Sequence, residues 1–87
     1  MDYGAVGIDK SRWATLLAEY FRKQYGIAFR VQIYDRPDLD RTVVAIAWKT
    51  ASGEWLCHEV EADTTLGRGL IAPEDLNALE VKVRMTT

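Results

Sequence analysis

The stretch TVVAIAWKTASGEWLCHEVEAD, residues 42–63, contains two runs of alternating character on either side of Ala51-Ser52-Gly53. A three-residue loop with glycine at its left-handed position joins two antiparallel strands into a hairpin. Such a loop pairs Thr50 with Glu54 and predicts strands over residues 42–50 and 54–63. The pairing can be tested against the distribution of apolar side chains, because a slip of one residue exchanges the two faces of a strand.

The predicted register gathers apolar side chains on one face of the hairpin. Trp48 lies opposite Leu56, Ile46 opposite His58, and Val44 opposite Val60. The other face receives Val43, Ala45, Ala47 and Lys49 from the first strand and Trp55, Cys57, Glu59 and Glu61 from the second. A two-residue loop at Ser52-Gly53 would set Ile46 against Glu59, which is less favourable.

Cys57 and His58 are the single cysteine and the single histidine of the chain. Neighbouring residues of a strand point to opposite faces, so this thiol and imidazole cannot form a nucleophilic dyad. We expect His58 to be a hydrogen-bonded histidine of the core and Cys57 to be a free thiol. Glu59, Glu61 and Asp63 share one face as an acidic stripe, which would need further ligands to bind a cation. We therefore predict no catalytic residues, no metal site and no cofactor.

Residues 9–26 have the pattern of an amphipathic helix. Asp9 is a suitable N-cap, and Gly26 suits the left-handed position after the last turn. The apolar positions recur with helical spacing at Trp13, Leu16, Leu17, Tyr20 and Phe21. This aromatic stripe is typical of a helix face that packs on a core.

The rest of the chain is predicted to be rich in strands. Residues 27–34 alternate with a period of two, and residues 35–41 contain Pro37 and form a connection. The sequence LGRGL, residues 66–70, predicts a turn, since it lacks the Lys-Ser/Thr ending of a phosphate-binding loop. Pro73 suits the first position of a short helix. Leu79, Val81, Val83 and Met85 then alternate with polar residues, which predicts a fourth strand.

These elements predict one α+β domain over residues 1–87: a helix on an antiparallel sheet of about four strands, in the order αβββ(α)β. The longest apolar run, residues 43–48, is far shorter than a membrane span, which needs roughly 20 residues. The N-terminus carries an acid where a secretory signal has basic residues. We expect a cytoplasmic protein, and a single cysteine is consistent with that compartment.

The net charge of −2 is unevenly distributed. Residues 1–50 carry eight basic and six acidic side chains, whereas residues 51–87 carry three and seven. A chain that is acidic overall and has no basic cluster is poorly suited to neutralise nucleic acid phosphates. A basic protein surface is a better match for the acidic half.

If the helix covers one face of the hairpin, a second, partly apolar face needs a cover. The candidates are the N-terminal YGAVGI, the segment 66–79, a second copy of the chain, or another protein. We predict that this face binds a partner through six residues: Trp55, Glu59, Glu61, Asp63, Val43 and Ala45. A tryptophan with a charged rim is typical of a protein–protein contact.

The functional hypothesis is a non-enzymatic protein-binding module, an inhibitor or accessory factor that docks on a basic, nucleic-acid-handling protein. In size, acidity and absence of a catalytic constellation, the chain is similar to small phage and plasmid inhibitors such as anti-CRISPR and immunity proteins. The alternative is a nucleic-acid-associated domain that uses basic residues on the helix side: Arg12, Arg22, Lys23 and Arg30. An enzyme with His58 as a base is a third possibility.

Overall fold

The computed structural model describes residues 9–62 and 71–87 of the 87-residue chain. Helix α1 spans Lys10–Tyr25 and helix α2 spans Pro73–Thr86. Three strands lie between them: β1 is Phe29–Arg36, β2 is Arg41–Lys49 and β3 is Trp55–Glu61. The strands form one antiparallel sheet in the order β1-β2-β3, so the fold is of the α+β class.

Helix α1 begins and ends where the sequence predicts. The Asp9 carboxylate accepts a hydrogen bond from the backbone N–H of Arg12 at 3.1 Å. Gly26 adopts φ 71°, and its N–H donates to the carbonyl of Arg22 at 2.8 Å. Both caps satisfy backbone groups that a helix terminus leaves unpaired. Leu17 and Phe21 of the predicted stripe are buried, but Leu16 and Tyr20 are 43% and 53% exposed, so the face that packs on the core is narrower than predicted.

The hairpin of β2 and β3 has the predicted register at every pair, from Lys49 with Trp55 to Val43 with Glu61. The N–H of Thr50 donates to the carbonyl of Glu54 at 2.8 Å, and Gly53 has the expected positive φ, 91°. β1 begins two residues later than predicted and continues to Arg36.

The connection between β1 and β2 is consequently shorter than predicted and comprises residues 37–40. Asp40 closes it with φ 52°, a left-handed conformation that aspartate tolerates better than most residues do. Arg36 pairs with Arg41 directly across this turn. Ion pairs of Arg36 with Asp38 and of Arg41 with Glu61 offset the like charges.

The prediction of a fourth strand was wrong, because residues 79–85 continue helix α2. The same residues fit a helix, because Leu79 and Val83 are four positions apart and so lie on one helix face, whereas Val81 lies on another. Leu79 and Val83 are buried, whereas Val81 is 55% exposed. No glycine or proline follows Pro73, so nothing in the sequence ends the helix after its first turns.

Both helices pack on the same face of the sheet. Phe21 of α1 stacks on Phe29 with ring centroids 5.4 Å apart, and Phe29 lies 6.3 Å from the ring of Trp48. Trp48 is 1% exposed, and its indole N–H donates to the hydroxyl of Thr86 at 2.9 Å. One aromatic row thus connects α1, the sheet and the end of α2.

Some sequence predictions fall on residues that the structure does not describe. The glycine turn at residues 66–70 and Asp63 of the acidic stripe lie outside the described residues. Within residues 9–62 and 71–87, neither helix is both long enough and apolar enough to cross a membrane.

The difference in burial between Leu79 and Val81 can be tested in solution, because a helix buries only the first of these side chains. Leu79→Ala should lower the free energy of unfolding by about 2 to 5 kcal/mol, because it leaves a cavity in the core. Val81→Ala should change it by no more than about 0.5 kcal/mol, since the side chain is exposed. Chemical denaturation of both variants measures the difference. Equal losses at the two positions would contradict the helix, because a strand would place both side chains on one face.

Candidate functional site

The face of the sheet opposite the helices, here called the open face, is formed by alternate residues of all three strands. Its described members include Arg30, Gln32 and Tyr34 of β1, Val43, Ala45, Ala47 and Lys49 of β2, and Trp55, Cys57, Glu59 and Glu61 of β3. The helices contribute their buried side chains to the other face. Neither described helix therefore covers the open face; the N-terminal YGAVGI and residues 66–70, two candidate covers, lie outside the described residues.

Trp55 is the largest side chain of the open face, and it is 38% exposed. The guanidinium carbon of Arg30 lies 4.4 Å from the centroid of its ring. Arg30 pairs with Ala47, and Trp55 is a diagonal neighbour of Ala47 on the other side, so the short alanine side chain leaves room for this contact. A cation over an indole face is attractive, so Arg30 favours this orientation of Trp55.

Next to this pair lies an open groove of about 400 Å³ on the surface of the sheet. It is lined by Arg30, Val31, Gln32, Ala45, Ala47 and Cys57. Short side chains form most of its floor, because β2 carries alanine at two consecutive positions of this face. A side chain of a partner can thus lie in the groove beside Trp55 and approach the backbone of the sheet.

The acidic residues at the other end of the open face have partners within the chain. The hydroxyl of Tyr34 donates a hydrogen bond to the carboxylate of Glu59. This bond is the main reason why the pKa of Tyr34 is raised. Glu61 forms an ion pair with Arg41 at 3.6 Å, and both side chains are about half exposed. Exposed pairs of this kind contribute little to stability, so a cation of a partner can replace them.

The structure brings together most of the residues that the sequence predicts for partner binding, with one correction. Trp55, Glu59 and Glu61 are exposed on the open face, and Ala45 is half-buried in the groove. Val43 lies on the same face but is only 5% exposed, so it is not available to a partner.

The charge of the open face is also mixed rather than purely acidic. Arg41 and Lys49 of β2 lie on this face together with Glu59 and Glu61. Arg30 is there too, so its predicted place on the helix side was wrong. Its contact with Trp55 was missed because it depends on the pairing of β1 with β2. The alternation of residues 27–34 was the available signal, since it places Arg30 on the solvated face.

His58 and Cys57 lie on opposite faces, as predicted. Cys57 is exposed and lines the groove. His58 is partly buried rather than fully enclosed in the core, and its Nδ1 lies 3.2 Å from the ammonium group of Lys82 on α2. The pKa of His58 is lowered mainly by burial and further by the positive charge of Lys82, against an opposing contribution from Asp75. The ring therefore accepts a hydrogen bond from Lys82 in its neutral form.

On the helix side, Arg22 has a structural role. Its Nε and Nη2 atoms donate to the carbonyl of Phe29 at 3.2 and 3.0 Å. Arg22 thus anchors the end of α1 to β1. Among the described residues, no three His, Cys, Asp or Glu side chains are grouped closely enough to hold a metal ion.

The chain was compared with protein families, curated proteins and solved structures. No family model, curated protein or solved structure matches it.

The environment of His58 predicts a pH-dependent stability. A histidine whose pKa is lower in the folded chain than the ordinary 6.5 binds protons more readily when unfolded. Its contribution is present above about pH 6.5 and is lost as the pH falls through the folded-state pKa. Thermal unfolding at decreasing pH should show a smaller loss in His58→Gln than in the wild type. NMR titration of His58 in the wild type should give a pKa below 6.5, and the Lys82→Met variant should have a higher pKa at His58. A wild-type pKa above 6.5 would contradict this environment.

Proposed function

We propose that this chain is a small, non-enzymatic protein-binding module, an inhibitor or accessory factor that docks through its open face. The observation that carries the proposal is Trp55, which is exposed and held by Arg30 beside a groove with a floor of short side chains. Tryptophan and arginine dominate the energetics of protein–protein contacts. A side chain that is already ordered loses less conformational entropy when it binds.

Glu59 and Glu61 favour basic residues of a partner at their end of the open face, although the described face as a whole carries more basic than acidic side chains. Glu59 and Glu61 lie along β3, and their internal contacts with Tyr34 and Arg41 are exposed. A lysine or arginine of the partner can replace these contacts and form stronger charge-assisted bonds. Arg30 and Lys49 lie nearer the opposite end, by Trp55, where no carboxylate of the described open face accompanies them, whereas Arg41 partly neutralises the Glu61 end. The two ends therefore differ in charge, which favours one orientation of the partner.

Nucleic acid binding from the helix side has less support. Of the four basic residues in that hypothesis, Arg22 donates both hydrogen bonds to Phe29 and Arg30 lies over Trp55. Arg12 and Lys23 remain on α1, and two cations are few for an interface that depends on phosphate neutralisation. Cys57 is not placed to act as a nucleophile with His58, because it lies on the other face of β3.

The contribution of Trp55 to binding can be measured directly. Trp55→Ala should weaken binding to a partner by about 2 to 4 kcal/mol, mainly through faster dissociation. The partner is first identified by capture from a lysate of the native host with the wild-type chain, and the affinity is then measured with purified components. Leu39→Ala is the matched control, because Leu39 is 45% exposed but lies in the turn before β2. Equal affinities of the Trp55 variant and the wild type would exclude the open face as the binding surface.

The acidic residues should act mainly on the association rate. The double variant Glu59→Lys, Glu61→Lys should bind a basic partner more slowly, and the difference should shrink with salt, because exposed charges are screened beyond about 10 Å at 0.1 M. The control is Glu19→Lys, Glu74→Lys, which changes the net charge equally but on the two helices. Stopped-flow association at several salt concentrations separates the two. The same rate in both double variants would show that only the net charge matters.

A further inference from the structure

The two edges of the sheet differ at the carbonyl of Phe29 and in the side chains that their outward residues carry. β1 forms one edge and β3 the other. On β1, the carbonyl of Phe29 accepts two hydrogen bonds from Arg22, whereas no hydrogen bond among the described residues satisfies the outward groups of Val31, Ile33 and Asp35. Unprotected edge strands present a row of unpaired N–H and C=O groups to other chains. The question is therefore which groups β3 presents.

The register of the hairpin answers this question. The N–H of Thr50 donates to Glu54 at 2.8 Å, and the N–H of Ala62 donates to Thr42 at 2.9 Å. In an antiparallel pair, residues that exchange hydrogen bonds alternate with residues whose backbone groups point outward. The inward set consists of even-numbered residues. The outward N–H and C=O groups therefore belong to Trp55, Cys57, Glu59 and Glu61, and no hydrogen bond within the described residues satisfies them.

These outward backbone groups belong to the same residues whose side chains form the β3 part of the open face. An added strand would therefore bring its own side chains beside Glu59 and Glu61 on the open face. On the other face its side chains would lie beside Leu56, which is half-buried, and Val60, which is buried. Basic residues are favoured at the first set of positions and apolar residues at the second.

We propose that the β3 edge binds an extended segment of a partner protein in which basic and apolar residues alternate. The segment continues the sheet beside β3 and exchanges backbone hydrogen bonds with Cys57, Glu59 and Glu61, while its basic side chains contact the carboxylates. This inference rests on the proposed function and gives it a binding mode. Backbone bonds supply affinity in such strand addition, and the alternate side chains supply specificity.

The charges favour this occupant over a second copy of the chain. Symmetric antiparallel pairing over the whole of β3 makes the two Glu59 side chains diagonal neighbours, roughly 7 to 8 Å apart across the strands. Nothing basic on β3 offsets that repulsion, since its sequence is WLCHEVE and His58 faces the other way. A segment with lysine or arginine at alternate positions turns the same carboxylates into attractive contacts.

Amide hydrogen exchange of the full-length chain, followed by NMR, tests the proposal. In the free chain, the amides of Cys57, Glu59 and Glu61 should exchange rapidly, and those of His58 and Val60 slowly. The probe is a short synthetic peptide in which lysine alternates with valine. It should slow exchange at the three outward amides by about tenfold or more. A peptide of the same composition with lysines and valines in separate blocks should not.

A pair of variants isolates the backbone contribution. Cys57→Pro removes one outward N–H without breaking a bond between β2 and β3, and proline is tolerated at such edge positions. Cys57→Ala removes the thiol and keeps the N–H. The proline variant should lose most of its affinity for the alternating peptide, and the alanine variant should retain it. If thermal unfolding shows that Cys57→Pro does not fold, the exchange measurement on the wild-type chain decides alone.

Three results would overturn the proposal. They are slow exchange of the outward amides in the free monomer, a dimer in sedimentation whose dissociation exposes these amides, and absence of peptide-dependent protection. If the peptide gives no protection, the effect of Trp55→Ala on binding to the captured partner separates two explanations. If Trp55→Ala still weakens binding to the captured partner, the open face docks without strand addition. If it does not, the proposed function fails as well.

Discussion

The burial of Trp48 is the constraint on which the rest of the structure depends. Its ring lies between Phe29 of β1 and Leu56 of β3, its pairing partners on either side, and it is almost completely enclosed. An enclosed indole N–H requires an acceptor, and the hydroxyl of Thr86 at the end of α2 supplies it at 2.9 Å. One side chain thereby sets the orientation of the central strand and attaches the C-terminal helix to it.

The orientation of Trp48 also determines the open face. Because side chains alternate along a strand, Lys49 and its partner Trp55 must face away from the helices once Trp48 faces them. Ala45 and Ala47 then form a floor of small side chains between β1 and β3, and Arg30 extends across it to Trp55. The binding surface proposed for this protein is thus a direct consequence of how its core is filled.

The two sheet edges show the same dependence on packing. Helix α1 lies against β1 because Leu17 and Phe21 contact the core there, and this position brings Arg22 to the carbonyl of Phe29. Helix α2 reaches the sheet through Leu79 and Val83, and Lys82 contacts His58 on the inner face of β3. Within the described residues, neither helix hydrogen-bonds to the outward backbone groups of β3, so that edge lacks the helix contact that Phe29 has on β1.

Local features of the fold were predictable from the sequence alone. Asp9 and Gly26 cap a helix through bonds to residues within one turn, and Gly53 permits the tight loop that sets the register of β2 and β3. Each of these features depends on neighbours in the chain and on a fixed period. The presence of Trp55, Glu59 and Glu61 on one face followed from that register and required no knowledge of the helices.

Only the tertiary structure decided the remaining features. The alternation from Leu79 to Met85 fits a strand and a helix equally, and packing of Leu79 and Val83 on the sheet selects the helix. The contact of Arg30 with Trp55 and the burial of Val43 likewise depend on the pairing of β1 with β2. Residues far apart in the chain meet only after the sheet has formed, so no local pattern encodes these contacts.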